Sequence, residues 1–64
     1  TAEDLRKSMG VIREILDSKA ITINEEYYQV IALEVMGISY AKAGDYSSET
    51  IKSFAEGYLK IVGI

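Results

Sequence analysis

Apolar residues recur along this chain in three blocks, each at helical spacing. In the first, Leu5, Met9, Ile12 and Leu16 follow at steps of four, three and four, and Ala2 and Ile15 widen the stripe. Arg6, Lys7, Arg13, Glu14 and Asp17 fall mostly on the other side, so residues 2–19 predict an ordinary amphipathic helix. Thr1 is placed to cap it, with Glu3 and Asp4 near its positive end. Gly10 interrupts the block at a cost of about 1 kcal/mol relative to Ala, for which close approach by a neighbouring helix and plain tolerance are equal readings.

Residues 19–23, KAITI, have a β-like composition over too few positions to pair into a sheet, and read as a connection. Thr22 with Glu25 fits a capping box, and Asn24 also fits as a cap, with Ile23 and Tyr28 as its hydrophobic staple. Asn24 is preferred, because Glu25 and Glu26 then occupy the first turn, where the helix dipole favours acids. The second block, residues 25–43, is apolar on nearly every side. Tyr28, Ile31, Val35 and Ile38 line one face, with Tyr27 beside them. Leu33, Met36 and Tyr40 line another, and Val30, Gly37 and Ala41 fill a third, narrow side. The pattern predicts a helix sandwiched between two others, ended by Gly44.

A short turn, Asp45-Tyr46-Ser47, leads to the third block. Ser47 serves as a cap, with Tyr46 and Ile51 as a second staple. Over residues 48–62, Ile51, Phe54, Ala55, Tyr58, Ile61 and Val62 share one side, while Glu49, Lys52, Ser53, Glu56 and Lys60 share the other. Glu49–Lys52 and Glu56–Lys60 are spaced to pair along the helix. Gly63 closes it. Short loops favour antiparallel neighbours, so the expected architecture is all-α, a small antiparallel three-helix bundle filling one domain, residues 1–64.

Composition narrows the function classes. The 64 residues carry a net charge of −3 and contain no cysteine, histidine or proline. That removes disulfides, thiolate ligands and the commonest general base and metal ligand. The mild acidity argues against nucleic acid as a partner. No apolar run reaches membrane-spanning length, and no signal peptide opens the chain, so the expected setting is cytoplasmic.

Carboxylates are the remaining candidates for chemistry. Glu25 and Glu26 are adjacent and point about 100° apart on a helix, so they do not converge on one substrate atom. Glu34 lies between two apolar sides of the central helix, where burial would raise its pKa; a rim position or an Arg partner is the plainer reading. The acids lack calcium-loop spacing, and the glycines at 10, 37, 44, 57 and 63 make no phosphate loop. The expectation is no catalytic residue, no metal ligand, no cofactor and no small-molecule substrate.

A helix, a turn with Gly44 and a second helix opened by Ser-Ser-Glu-Thr also suggest a helix-turn-helix DNA reader. Against it, Glu49 and Glu56 on the outward side of the would-be recognition helix would repel phosphates. A different likeness runs over residues 33–58. Leu33, Met36, Gly37 and Tyr40, the Gly44-Asp45-Tyr46 turn, and Thr50, Ile51, Phe54 and Gly57 together resemble one tetratricopeptide-type helical hairpin. One extra residue at Ser47-Ser48 and Thr50 in place of the usual alanine depart from the pattern. The resemblance implies a protein-binding scaffold, with Gly37 and Gly57 permitting close approach of the second and third helices, and the first helix covering the lone hairpin.

The chain also carries more large apolar groups than three stripes absorb. Val11, Val30, Leu59 and Ile64 have no evident place, and Leu33, Met36 and Tyr40 only a partial one. The sequence therefore predicts a protein–protein interaction module, an adaptor, inhibitor or regulatory subunit, whose partner is another protein or a second copy of itself. Val30, Leu33, Met36, Tyr40, Leu59 and Ile64 form its candidate interface. A structural piece of a larger helical protein is the remaining alternative.

Overall fold

The computed structural model describes all 64 residues as three helices, α1 Ala2–Ser18, α2 Glu25–Ala43 and α3 Ser48–Ile61, each in contact with the other two. The chemistry of the ends sets their boundaries. At the start of α1 the Thr1 hydroxyl accepts from the Asp4 backbone N–H, and the Thr1 backbone nitrogen donates to the Asp4 carboxylate at 3.3 Å, which closes a capping box; the hydroxyl also donates to that carboxylate at 2.9 Å. That hydroxyl is the first cause of an Asp4 pKa below its ordinary value. The Asn24 side chain accepts the Tyr27 N–H at 2.8 Å to open α2, and the Ser47 hydroxyl accepts the Thr50 N–H to open α3. Asp45 accepts the Ser47 N–H at 3.0 Å, and this bond holds its carboxyl below the ordinary range.

Two of the three helices end in the same motif. At the end of α1, Ile21 N–H donates to Leu16 O and Ala20 N–H to Asp17 O; at the end of α3, Ile64 N–H donates to Leu59 O and Gly63 N–H to Lys60 O. This is a Schellman pairing, which turns the chain through a left-handed residue and brings an apolar residue back onto the last turn. Gly63 takes the left-handed position at φ 82°, where it costs little. Ala20 takes it at φ 57°, where a Cβ costs about 1–2 kcal/mol. Ala20→Gly is therefore expected to stabilise the fold by about 0.5–1 kcal/mol, after subtracting the extra freedom glycine adds to the unfolded chain. A thermal melt reads this as a rise of about 2–8 °C. No rise, or a fall, would mean that the turn is not left-handed at Ala20.

Later positions of α1 meet earlier positions of α2, so the two run antiparallel. The Ser8 hydroxyl donates to Ala32 O at 3.1 Å, and one Arg13 guanidinium nitrogen donates to both Glu25 carboxylate oxygens, at 3.2 and 3.0 Å. The same guanidinium lies 4.4 Å from the centre of the Tyr28 ring, and the Glu25 hydrogen bond raises the Arg13 pKa. Ile12, Ile15 and Leu16 of α1, Tyr28, Ile31, Ala32 and Val35 of α2, and Ile51, Ala55 and Leu59 of α3 make one core. Ile21, Ile23 and Tyr46, from the loops, pack onto it. Ile23 and Tyr46, the outer members of the two expected staples, thus lie against the core that contains Tyr28 and Ile51.

The three-helix bundle predicted from the sequence is the fold observed, but two helices sit differently in it. The central helix is not sandwiched. Its buried residues, Tyr28, Ile31, Ala32, Val35, Met36 and Ser39, occupy one sector of roughly 140° at 100° per residue, which serves α1 and α3 together. Its opposite side is free. On α3 the buried line is Ile51, Ala55 and Leu59, with Phe54 and Tyr58 half-buried beside it. Small Ala55 at the centre of that line lets the helix approach closely and turns Leu59 inward, leaving Ile61 84% exposed.

Two local expectations also change. Glu49–Lys52 and Glu56–Lys60 do not pair; the ion pairs formed are Thr1–Asp4 and Arg13–Glu25. Exposed pairs of this kind contribute little, because solvent and salt screen them and ordering the side chains opposes them. Gly10, Gly37 and Gly57 admit no close helix approach either, since a Cβ at any of them would meet nothing within 4 Å.

Candidate interaction surface

α2 spans 19 residues, about 28 Å at 1.5 Å per residue, against a longest dimension of 30 Å for the whole domain. Its free side therefore runs nearly the full length of the molecule. At 100° per residue, Gly37 lies opposite the middle of the buried sector, Val30 and Leu33 lie to either side of it, and Tyr40 lies one turn on. Val30 is 51% exposed, Leu33 56% and Tyr40 63%. No charged side chain falls between Val30 and Tyr40 within this stripe. Glu26 precedes it, and exposed Glu34 stands on one flank.

Glu34 thus takes the rim position of its plainer reading, without an Arg partner. Tyr40 is held at the end of the stripe by stacking on Tyr46, with ring centres 5.7 Å apart and planes 26° apart. Tyr46 itself packs on the core, so the aromatic end of the surface is anchored to the fold.

Of the six residues predicted to form an interface, the structure brings Val30, Leu33 and Tyr40 together on this face. The other three are corrected. Leu59 is wholly buried, because α3 is rotated to put the Ile51–Ala55–Leu59 line inward. Met36 is 9% exposed and closes the edge of the buried sector of α2. Ile64 is half-buried as the apolar residue of the α3 Schellman turn, packed on the core. Val11 is likewise half-buried against the core.

Sequence reasoning missed Tyr27, which is 39% exposed on the flank of the same face, and the central place of Gly37. The spacing held the signal. Glu26, Val30, Leu33, Gly37 and Tyr40 follow at steps of four, three, four and three, a seam distinct from the one that faces the core.

Other surfaces are mixed in character. The outward side of α3 presents Glu49, Lys52, Ser53, Glu56 and Lys60, all exposed. Between the C-terminal halves of α1 and α3 lies an open groove of about 790 Å³ with Val11, Ile15 and Ile64 as its apolar lining. Glu14, Lys19, Lys52, Glu56 and Lys60 also line it. No three acidic side chains converge on a metal-sized site, and no helix is long and apolar enough to cross a membrane. Of the positions that carry the tetratricopeptide likeness, Leu33, Gly37 and Tyr40 face outward, while Met36 and Ile51 are buried. Compared with known proteins, the chain matches no family model, no curated protein and no solved structure.

Proposed function

We propose that this chain is a protein–protein interaction module, of adaptor, inhibitor or regulatory kind and without catalytic activity, which docks through the outward face of α2. The observation that carries the reading is the uncharged stripe of Val30, Leu33, Gly37 and Tyr40, which runs about 15 Å along the free side of α2, half the longest dimension of the domain. A solvated helix face is ordinarily polar, and contiguous exposed apolar surface on a small domain marks an interface. Tyrosine at the end of such a stripe adds an anchor of the type favoured at interface cores. A cytoplasmic setting belongs to the same proposal.

Leu33→Asp tests it. Leu33 is more than half exposed, so the substitution changes stability by less than about 1 kcal/mol, mostly through helix propensity. The variant is expected to keep its circular dichroism spectrum and to lose the complexes that the unaltered chain forms in extracts of its native cell. Lys52→Asp, on the outward side of α3, is expected to keep them. Equal complex formation by Leu33→Asp, or its loss in Lys52→Asp alone, would move the interface off α2.

A further inference from the structure

We infer that the occupant of the α2 face is a second copy of this chain, packed α2 against α2 in antiparallel orientation about a twofold axis. This rests on the docking reading above and specifies its partner. A twofold contact uses the same patch on both subunits, so the patch must complement itself. The α2 stripe does. Val30 and Tyr40 lie equally far on either side of the level of Val35, and so do Leu33 and Gly37. A twofold axis at that level sets Leu33 opposite Gly37 of the second copy and Val30 opposite its Tyr40.

Each layer then joins a large side chain to a smaller one. Leu33 enters the space that the second copy's Gly37 leaves open, as a knob fills a hole. A parallel pairing would instead set Gly37 against Gly37, leaving a void, and Tyr40 against Tyr40. Gly37 is otherwise without a structural reason, because it lies mid-helix at φ below zero and a Cβ there would meet nothing within 4 Å.

The area agrees with a weak dimer. At their observed exposures, Tyr27, Val30, Leu33 and Tyr40 present on the order of 400 Å² per copy, taking an aromatic side chain at about 200 Å². With Gly37, Ala41 and the stems of Gln29 and Glu34, two copies remove on the order of 1,000 Å² from water, the lower bound of specific interfaces. One feature opposes association. Glu34 flanks the stripe beside the level of the axis, so the two Glu34 carboxylates approach each other across it. The dissociation constant expected is in the range of about 10 μM to 1 mM.

Sedimentation equilibrium from about 10 μM to 2 mM brackets that range. The unaltered chain should pass from monomer to dimer mass. Gly37→Leu fills the hole and should weaken association by tenfold or more, while raising the melting temperature of the monomer through helix propensity. The size swap Leu33→Gly/Gly37→Leu restores a large residue opposite a small one, and should recover the dissociation constant to within about threefold. Glu34→Gln should tighten it by about two- to fivefold. Monomer mass throughout, association of Gly37→Leu equal to that of the unaltered chain, or a folded swap variant that stays monomeric would overturn the pairing. Monomer mass combined with loss of cellular complexes in Leu33→Asp would overturn self-pairing while leaving the docking reading in place.

Discussion

Leu59→Ala is expected to remove about 2–5 kcal/mol from the stability of this small domain. Leu59 has no solvent exposure and closes the Ile51–Ala55–Leu59 line by which α3 joins the core. Its backbone carbonyl also receives the Ile64 N–H at 2.9 Å, so the last turn of the chain folds back over it. Truncation removes three buried carbons and leaves a cavity that Ala32 and Ala55, already minimal, cannot fill. Buried Leu→Ala changes cost about 2–5 kcal/mol. A 64-residue domain has roughly 3–10 kcal/mol in total, at 0.05–0.15 kcal/mol per residue. The loss therefore consumes a large share of the stability.

Ile61→Ala provides the contrast. Ile61 is 84% exposed two positions further along the same helix, and its truncation should change the unfolding free energy read from urea titration by less than about 0.5 kcal/mol. The sequence pattern of α3 places Ile61 inside and leaves Leu59 over, so the pair of midpoints decides between the two rotations of the helix. A small effect for Leu59→Ala with a large one for Ile61→Ala would reverse the assignment made here.

The helices and their ends were legible because they depend on neighbours in sequence. Asn24 and Ser47 cap as their side-chain chemistry requires, Gly44 and Gly63 supply left-handed turns, and the helix boundaries fall within a residue of those predicted. Only at Ala20 does a left-handed turn stand where the sequence gives no glycine to announce it. The rotation of each helix about its axis was less legible, because it depends on which side chains let the helices approach. On α3 the bulk of Phe54, Tyr58 and Ile61 pulls the apparent centre of the apolar side away from Ala55. Packing favours the small residue at the centre and leaves the large ones to cover the edges.

On α2 the difficulty was the reverse. A helix apolar on nearly every side carries two superposed seams, and periodicity does not say which meets the core. The bundle resolves this by burying the seam that contains Ala32 and Ser39, whose small side chains permit close packing. The seam built on Val30, Leu33, Gly37 and Tyr40 is thereby left outside. The candidate interface was recognised as excess apolar residues, and the fold separated them. Leu59 and Met36 are buried, whereas Val30, Leu33 and Tyr40 of α2 are not.

Burial of the Ser39 seam has a cost that mutation can recover. Ser39 has no solvent exposure, and its hydroxyl has no hydrogen-bond partner. A buried polar group without a partner costs about 1–3 kcal/mol in lost hydration. Ser8, the other wholly buried serine, differs in that its hydroxyl donates to Ala32 O across the α1–α2 contact. The same substitution should thus act in opposite directions at the two sites. Ser39→Ala removes the unpaired hydroxyl and installs the best helix former, for a gain of about 1–2 kcal/mol. In a domain of this size that raises the melting temperature by roughly 4–16 °C. Ser8→Ala makes the same helix-propensity gain but removes a formed bond, and should lower stability by up to about 1 kcal/mol. Packing loss is the same single oxygen in both, so the difference between the two variants isolates the hydrogen bond from the volume change. Destabilisation of similar size in both would show that the Ser39 hydroxyl has a partner after all, the nearest carbonyls of α2 being the first to consider.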